Sequence, residues 1–92
     1  MLLVTYDISS DKVRTRFSNF LKKFGYRLQY SVYQIKHSEK ILNNIIVEIQ
    51  KRYEKEFTKA DSVILFKIPE NSHAKTIKFG YAKDMDSDIL FL

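Results

Sequence analysis

Asp7 closes the apolar run LLVTYD, and Arg14 and Arg16 follow it by seven and nine residues. A carboxylate can share a metal ion or a proton, but no second acid or histidine stands beside Asp7 to share with. Taken alone, it equally suits an acid that ends a strand and satisfies the N–H groups of the turn behind it. Arg14 and Arg16 are about 200° apart at about 100° per residue, so they flank a helix from opposite sides and cannot form one tight fork within a chain. They can each reach a phosphate backbone, or cover the edges of an apolar stripe with their stems. Tyr6, Tyr30 and Tyr33 carry rings that can stack on bases or pack into a core while a hydroxyl stays wet. His37 and His73 are thirty-six residues apart with no ligand-spaced partner. Ser9 and Ser10 have no base beside them and read as helix caps. Asp84, Asp86 and Asp88 lack the glycine and closing glutamate of a calcium loop.

The elements that must position these groups follow from periodicity. Leu2–Ile8 is apolar on both sides, as in a strand buried on both faces or central in a sheet. Val13, Phe17, Phe20, Leu21 and Phe24 recur at helical spacing, and Gly25 stands where a left-handed C-terminal cap is expected. From Tyr26 to Lys36 the residues alternate, with a slip of phase at Val32–Tyr33, which fits either one kinked strand or a hairpin. Ser38 can cap a second helix with Ile41, Leu42, Ile45, Ile46, Ile49 and Tyr53 as its buried stripe, fading near Phe57. Val63–Ile68, closed by Pro69, reads as a strand, and Thr76–Tyr81 as a further short one. The order predicts an α+β, ferredoxin-like β-α-β-β-α-β sandwich with an additional short C-terminal strand, its antiparallel sheet covered by two helices on one face.

The 92 residues suffice for one domain, residues 1–92, small enough that self-association is expected. Residues 81–92 form a tail whose apolar end, Ile89–Leu92, is expected to add to a partner's sheet edge. The absence of cysteine excludes disulfides, thiolate metal sites and cysteine nucleophiles, and with no signal-like opening it points to a cytoplasmic protein. No apolar run reaches the roughly twenty residues of a membrane span, so no membrane is expected. Between residues 11 and 27, six basic side chains face one acid, Asp11, so this window alone carries the chain's net charge of +5. Such a surface attracts polyanions, nucleic acid foremost, or is a helix face kept basic for solubility.

Two segments in combination, TYDIS at the end of the first strand and GYRLQYSVYQIK after the first helix, resemble the Cas Two family of CRISPR-associated proteins. The pattern of Gly25, Arg27, Gln29, Ser31, Val32 and an aromatic residue carries the likeness, which extends to Pro69. The aromatic position is commonly Phe in the family and is Tyr33 here. The resemblance implies a homodimer that bridges two dimers of the Cas One integrase during insertion of foreign DNA into a CRISPR array. For some members it also implies a metal-dependent endonuclease acting on single-stranded RNA or double-stranded DNA. By matching positions, the metal-binding and catalytic acid falls on Asp7, and the nucleic-acid-binding positions on Tyr6, Arg14, Arg16, Arg27 and Tyr33. The implied cofactor is Mg²⁺, with Mn²⁺ as the alternative, one ion shared by the two Asp7 residues of a dimer. Mg²⁺ accepts one or two protein carboxylates when waters and substrate phosphate complete its shell, and a two-fold axis supplies the second copy.

Three function classes stay open on this sequence: a structural subunit that grips DNA, a Mg²⁺-dependent nuclease, and an RNA-cleaving toxin of a toxin–antitoxin pair. A non-catalytic nucleic-acid-binding module on the same fold is the remaining alternative.

Overall fold

The computed structural model describes residues 1–69, 77–80 and 90–91. Strand β1 (Leu2–Asp7) sets the layout by simple alternation. Leu2, Val4 and Tyr6 are buried on one side, whereas Leu3 and Thr5 are half-buried and Asp7 is exposed on the other. The strand is central, as its apolar character predicts, but only one of its faces is fully covered.

Helix α1 (Asp11–Leu21) starts where Ser10 Oγ accepts the Val13 N–H at 3.2 Å, with Asp11 in the first turn where the helix dipole favours an acid. Its stripe of Val13, Phe17, Phe20 and Leu21 is buried. Full burial of Phe17 and Leu21 contributes about 1.5–3 kcal/mol each. The helix ends in a tightened turn, with Lys23 and Phe24 N–H groups bonding the carbonyls of Phe20 and Leu21.

Gly25 is not the left-handed cap its position suggested; among the described residues only Gly80 has a positive φ. It opens β2 (Gly25–Gln29), and a Cβ there would lie 1.9 Å from the Gln34 carbonyl oxygen. The glycine serves close approach of two strands. β2 runs through the turn at Tyr30–Ser31 into β3 (Val32–Ile35), so the slipped alternation belongs to a hairpin. Its bulge falls between Arg27 and Gln29, two residues paired with Tyr33 and Val32.

Helix α2 (Glu39–Glu48) is capped by Ser38, whose Oγ accepts the Ile41 N–H at 3.0 Å. It continues through a π-turn over Ile49–Tyr53 and a 3₁₀ turn over Glu54–Glu56, ending at Phe57. Tyr53 stays on the buried stripe, four residues beyond Ile49, and faces α1. There its ring meets Phe17 edge-on at 5.0 Å and Phe20 at 5.6 Å. β4 (Ser62–Lys67) completes a four-stranded antiparallel sheet of order β2-β3-β1-β4. Both helices contribute their stripes to the one core against its inner face. This is the predicted α+β, ferredoxin-like arrangement.

The outer face carries no helix among the described residues. It shows Leu3, Thr5 and Asp7 of β1 beside Phe66, Ile64 and Ser62 of β4 and Gln34 and Val32 of β3. Ile64 is 50% and Phe66 48% exposed. A separate small sheet pairs β5 (Ile77–Lys78) with β6 (Leu90–Phe91) in parallel within the chain. The rest of the tail, including Asp84, Asp86, Asp88, Ile89 and Leu92, lies outside the described residues, as does His73. No described helix is long and apolar enough to cross a membrane.

Candidate nucleic-acid interface and the Asp7 carboxylate

The C-terminal end of β1 delivers two neighbouring side chains to opposite faces. Tyr6 turns inward and stacks edge-on against Phe17 at 5.2 Å, whereas Asp7 faces outward. Among the described residues the Asp7 carboxylate has no hydrogen-bond or ion-pair partner. The turn behind it is held by a different acid: Asp61 Oδ1 accepts the Ser9 N–H at 2.8 Å and the Ser9 hydroxyl at 2.9 Å, and Oδ2 accepts the Thr58 N–H at 2.8 Å. These bonds hold the Asp61 carboxyl below the usual carboxylate range, the Thr58 N–H contributing most. Ser9 is therefore no helix cap, and the strand-ending role open to Asp7 is filled by Asp61. Sequence reasoning missed Asp61 because the contact spans fifty-two residues with no local pattern to announce it.

Arg14 and Arg27 meet on one flank of α1. The Arg14 guanidinium donates to the Ile8 carbonyl at 2.9 Å and pairs with Asp11, which raises its pKa further. Arg27 donates to Ser18 Oγ at 2.8 Å, and Ser18 Oγ lies 2.5 Å from the Tyr33 hydroxyl. Both guanidiniums stand 5.9 Å from the centroid of the Tyr30 ring. With Tyr6, Asn19 and Lys22 they line a cleft of about 100 Å³. Among the described residues, three cations there are answered by one carboxylate, Asp11.

Arg16 is on the other flank, as the 200° separation requires. It pairs with Glu56 and lies over Tyr53, whose hydroxyl donates to the Arg16 carbonyl at 3.4 Å. Its neighbour Arg52 pairs with Glu48 at 3.0 Å. The structure thus brings Arg14 and Arg27 together and sets Arg16 apart, with its charge met locally.

The tyrosines divide as sharply. Tyr33 is fully buried and Tyr6 nearly so; neither offers a ring face to a base in this conformation. Burial lifts the Tyr6 phenol above its ordinary value, against an opposing effect of the Ser18 hydroxyl. Tyr30, at the hairpin tip, is 66% exposed. Ser18, the buried hydroxyl that links Tyr33 to Arg27, carried no sequence signal beyond falling within the helix. His37 pairs with Glu39 at 3.3 Å at the start of α2. Among the described residues no three His, Cys, Asp or Glu side chains cluster to hold a metal.

The family model for CRISPR associated protein Cas2 matches residues 1–76. Two CRISPR-associated endoribonucleases of Synechocystis sp., Cas2 2 and Cas2 3, are 32% and 30% identical over 79 and 76 residues, covering 85% and 83% of this chain and 82% and 77% of theirs. The crystal structure of a hypothetical protein from Thermus thermophilus superposes with a TM-score of 0.65 at 25% identity, over 74% of this chain and 79% of that one. Streptococcus pyogenes Cas2 gives a TM-score of 0.70 at 19% identity, over 86% and 98%, a likeness of fold.

Proposed function

The chain belongs to the CRISPR-associated Cas2 family, and we propose from that premise that it acts as a homodimer that binds nucleic acid and bridges dimers of the Cas One integrase during spacer acquisition. One observation carries the reading: the sheet face opposite the helices is rich in apolar side chains, carries no helix among the described residues, and ends in Asp7, whose carboxylate has no partner among them. Leu3, Val32, Ile64 and Phe66 make it unlike the solvated face of a monomeric antiparallel sheet. The basic flank of α1 lies on the helix side and stays open for nucleic acid when two such faces meet.

Asp7 favours a second activity, phosphodiester cleavage, which the names of the Synechocystis relatives state for those proteins. Asp7 is exposed, and its carboxylate has no structural partner among the described residues. One chain offers one such ligand, so the fit to a divalent ion is a site completed by the Asp7 of a second copy. A cation bound there would supply charge neutralisation at a phosphate and acidify an attacking water. The chain's own part is to hold the strand: the arginine cleft and Asp7 open on opposite sides of β1, so the guanidiniums grip phosphates away from their own Asp7. Binding and cleavage then separate by mutation.

Sedimentation equilibrium on the purified chain tests the dimer, and an insertion assay with its integrase, run on wild type and Asp7→Ala, tests the bridging role. A monomer at assay concentration, or insertion unaffected by omitting this chain, removes the proposal.

A further inference from the structure

We infer that the cleft beside α1 takes the phosphate of an unpaired nucleotide whose base stacks on Tyr30; the inference rests on the nucleic-acid reading above and deepens it. Of Tyr6, Tyr30 and Tyr33, the fold buries two and leaves Tyr30 open. Tyr30 as a residue is 66% exposed even with two guanidiniums 5.9 Å from its ring centroid, so the side chain is open to a stacking partner. Tyr30 also stands at the tip of the β2–β3 hairpin, where its exposed side chain adds nothing to the core. Its hydroxylated ring is instead built into the rim of the cation-rich cleft.

The cleft supplies the complementary half. Arg14, Lys22 and Arg27 exceed the single carboxylate of Asp11, and the volume of about 100 Å³ is on the scale of a phosphate group with its first waters. Arg27 is already fixed from beneath by Ser18 and Tyr33, so little of its freedom is lost when a phosphate arrives. The opposite flank shows the contrast: Arg16 and Arg52 each spend their charge on a glutamate. A duplex presents phosphates to such a cleft but keeps its base faces covered by their neighbours. Only an overhang or a single strand carries an unpaired base that can lie on Tyr30 while its own phosphate sits in the cleft.

The test uses the purified chain and a short DNA duplex, either blunt or with single-stranded overhangs carrying a fluorescent purine analogue. Wild type is expected to bind the overhang probe more tightly and quench the analogue, as stacking does. Tyr30→Ala should weaken overhang binding by about tenfold and abolish the quenching, with blunt-duplex binding unchanged. Tyr30→Phe should restore both, because the ring and not the hydroxyl makes the stack. Equal loss on both probes, or no quenching by wild type, overturns the inference while leaving duplex binding in place. Failure of wild type to bind either probe overturns the nucleic-acid reading as well.

Discussion

Ser9 donates both its backbone N–H and its hydroxyl to the same oxygen of Asp61, at 2.8 and 2.9 Å. That contact closes the turn after β1 onto the entry to β4 and relieves Asp7 of the task. Asp61→Ala should therefore lower the melting temperature and loosen the β1–α1 turn, whereas Asp7→Ala should leave the monomer fold intact. The Asp61 carboxyl titrates lower when folded than when unfolded, so its contribution is complete above the ordinary carboxylate pKa of about 4 and disappears as pH falls through the depressed folded value. Melting curves of wild type and Asp61→Asn between neutral and strongly acidic pH should converge at the acid end. A constant gap would show that the turn is held by something other than the charged acid.

Asp7→Asn separates holding nucleic acid from cutting it. Two exposed carboxylates brought close by a two-fold axis repel, so removing the charge should leave dimerisation unchanged or tighten it in metal-free buffer. DNA affinity at the opposite face should stay within about twofold, well under one tenfold step in free energy. Any Mg²⁺-dependent cleavage of RNA or DNA should fall to background. Retained cleavage in the variant would assign the chemistry elsewhere.

Gly25→Ala probes the close approach of β2 to β3. A methyl group placed 1.9 Å from the Gln34 carbonyl oxygen meets backbone, which cannot rotate aside, so the hairpin must shift. A loss of about 1–3 kcal/mol or more is expected in urea unfolding, the usual range for overpacking. A neutral effect would mean that the two strands can part at no cost.

The layout of this fold was legible because period-two and helical patterns are local. β1, α1, the α2 stripe and β4 all emerge from residues within one element, as do the caps at Ser10 and Ser38. What escaped was contact-dependent. The hairpin bulge at Arg27–Gln29 shifts the alternation, and only the pairing with Tyr33 and Val32 locates it. Gly25 was assigned the commonest role of a glycine after a helix, when the cause is a strand carbonyl nine residues on. The Arg14 and Arg16 separation followed from helix geometry alone, but their inequality did not. It depends on Glu56, forty residues from Arg16, and on Arg27 arriving from β2. Likewise, nothing in the sequence ranked Tyr30 above Tyr6 and Tyr33, since exposure is a property of the assembled sheet.

Tyr33→Phe tests the buried chain of hydroxyls beneath Arg27. The ring stays in the core and Ser18 keeps Arg27 as a partner, so only one hydrogen bond of 2.5 Å is lost. Stability should fall by about 0.5–1.5 kcal/mol, the net value of such a bond. Nucleic-acid affinity should drop modestly as Arg27 gains freedom. An unchanged stability would show that the Tyr33 hydroxyl contributes nothing to the network.

Phe66→Glu addresses the uncovered sheet face directly. The side chain is 48% exposed in the single chain and lies beside Leu3 in the strand register, so a carboxylate there remains solvated and the monomer should fold normally. In an isologous interface every substitution is counted twice, once from each copy. A cost equal to tenfold per copy therefore weakens the dimer by about a hundredfold, because the two contributions add in free energy. Thr5→Ser, on the same face and nearly unchanged in size and polarity, should leave the association as it is. Sedimentation velocity on the three proteins reads this out, with near-native far-ultraviolet circular dichroism as the check on folding. If Phe66→Glu sediments as a dimer indistinguishable from wild type, the two copies do not meet through this face, and Asp7 at its end has no symmetry-related partner with which to hold an ion.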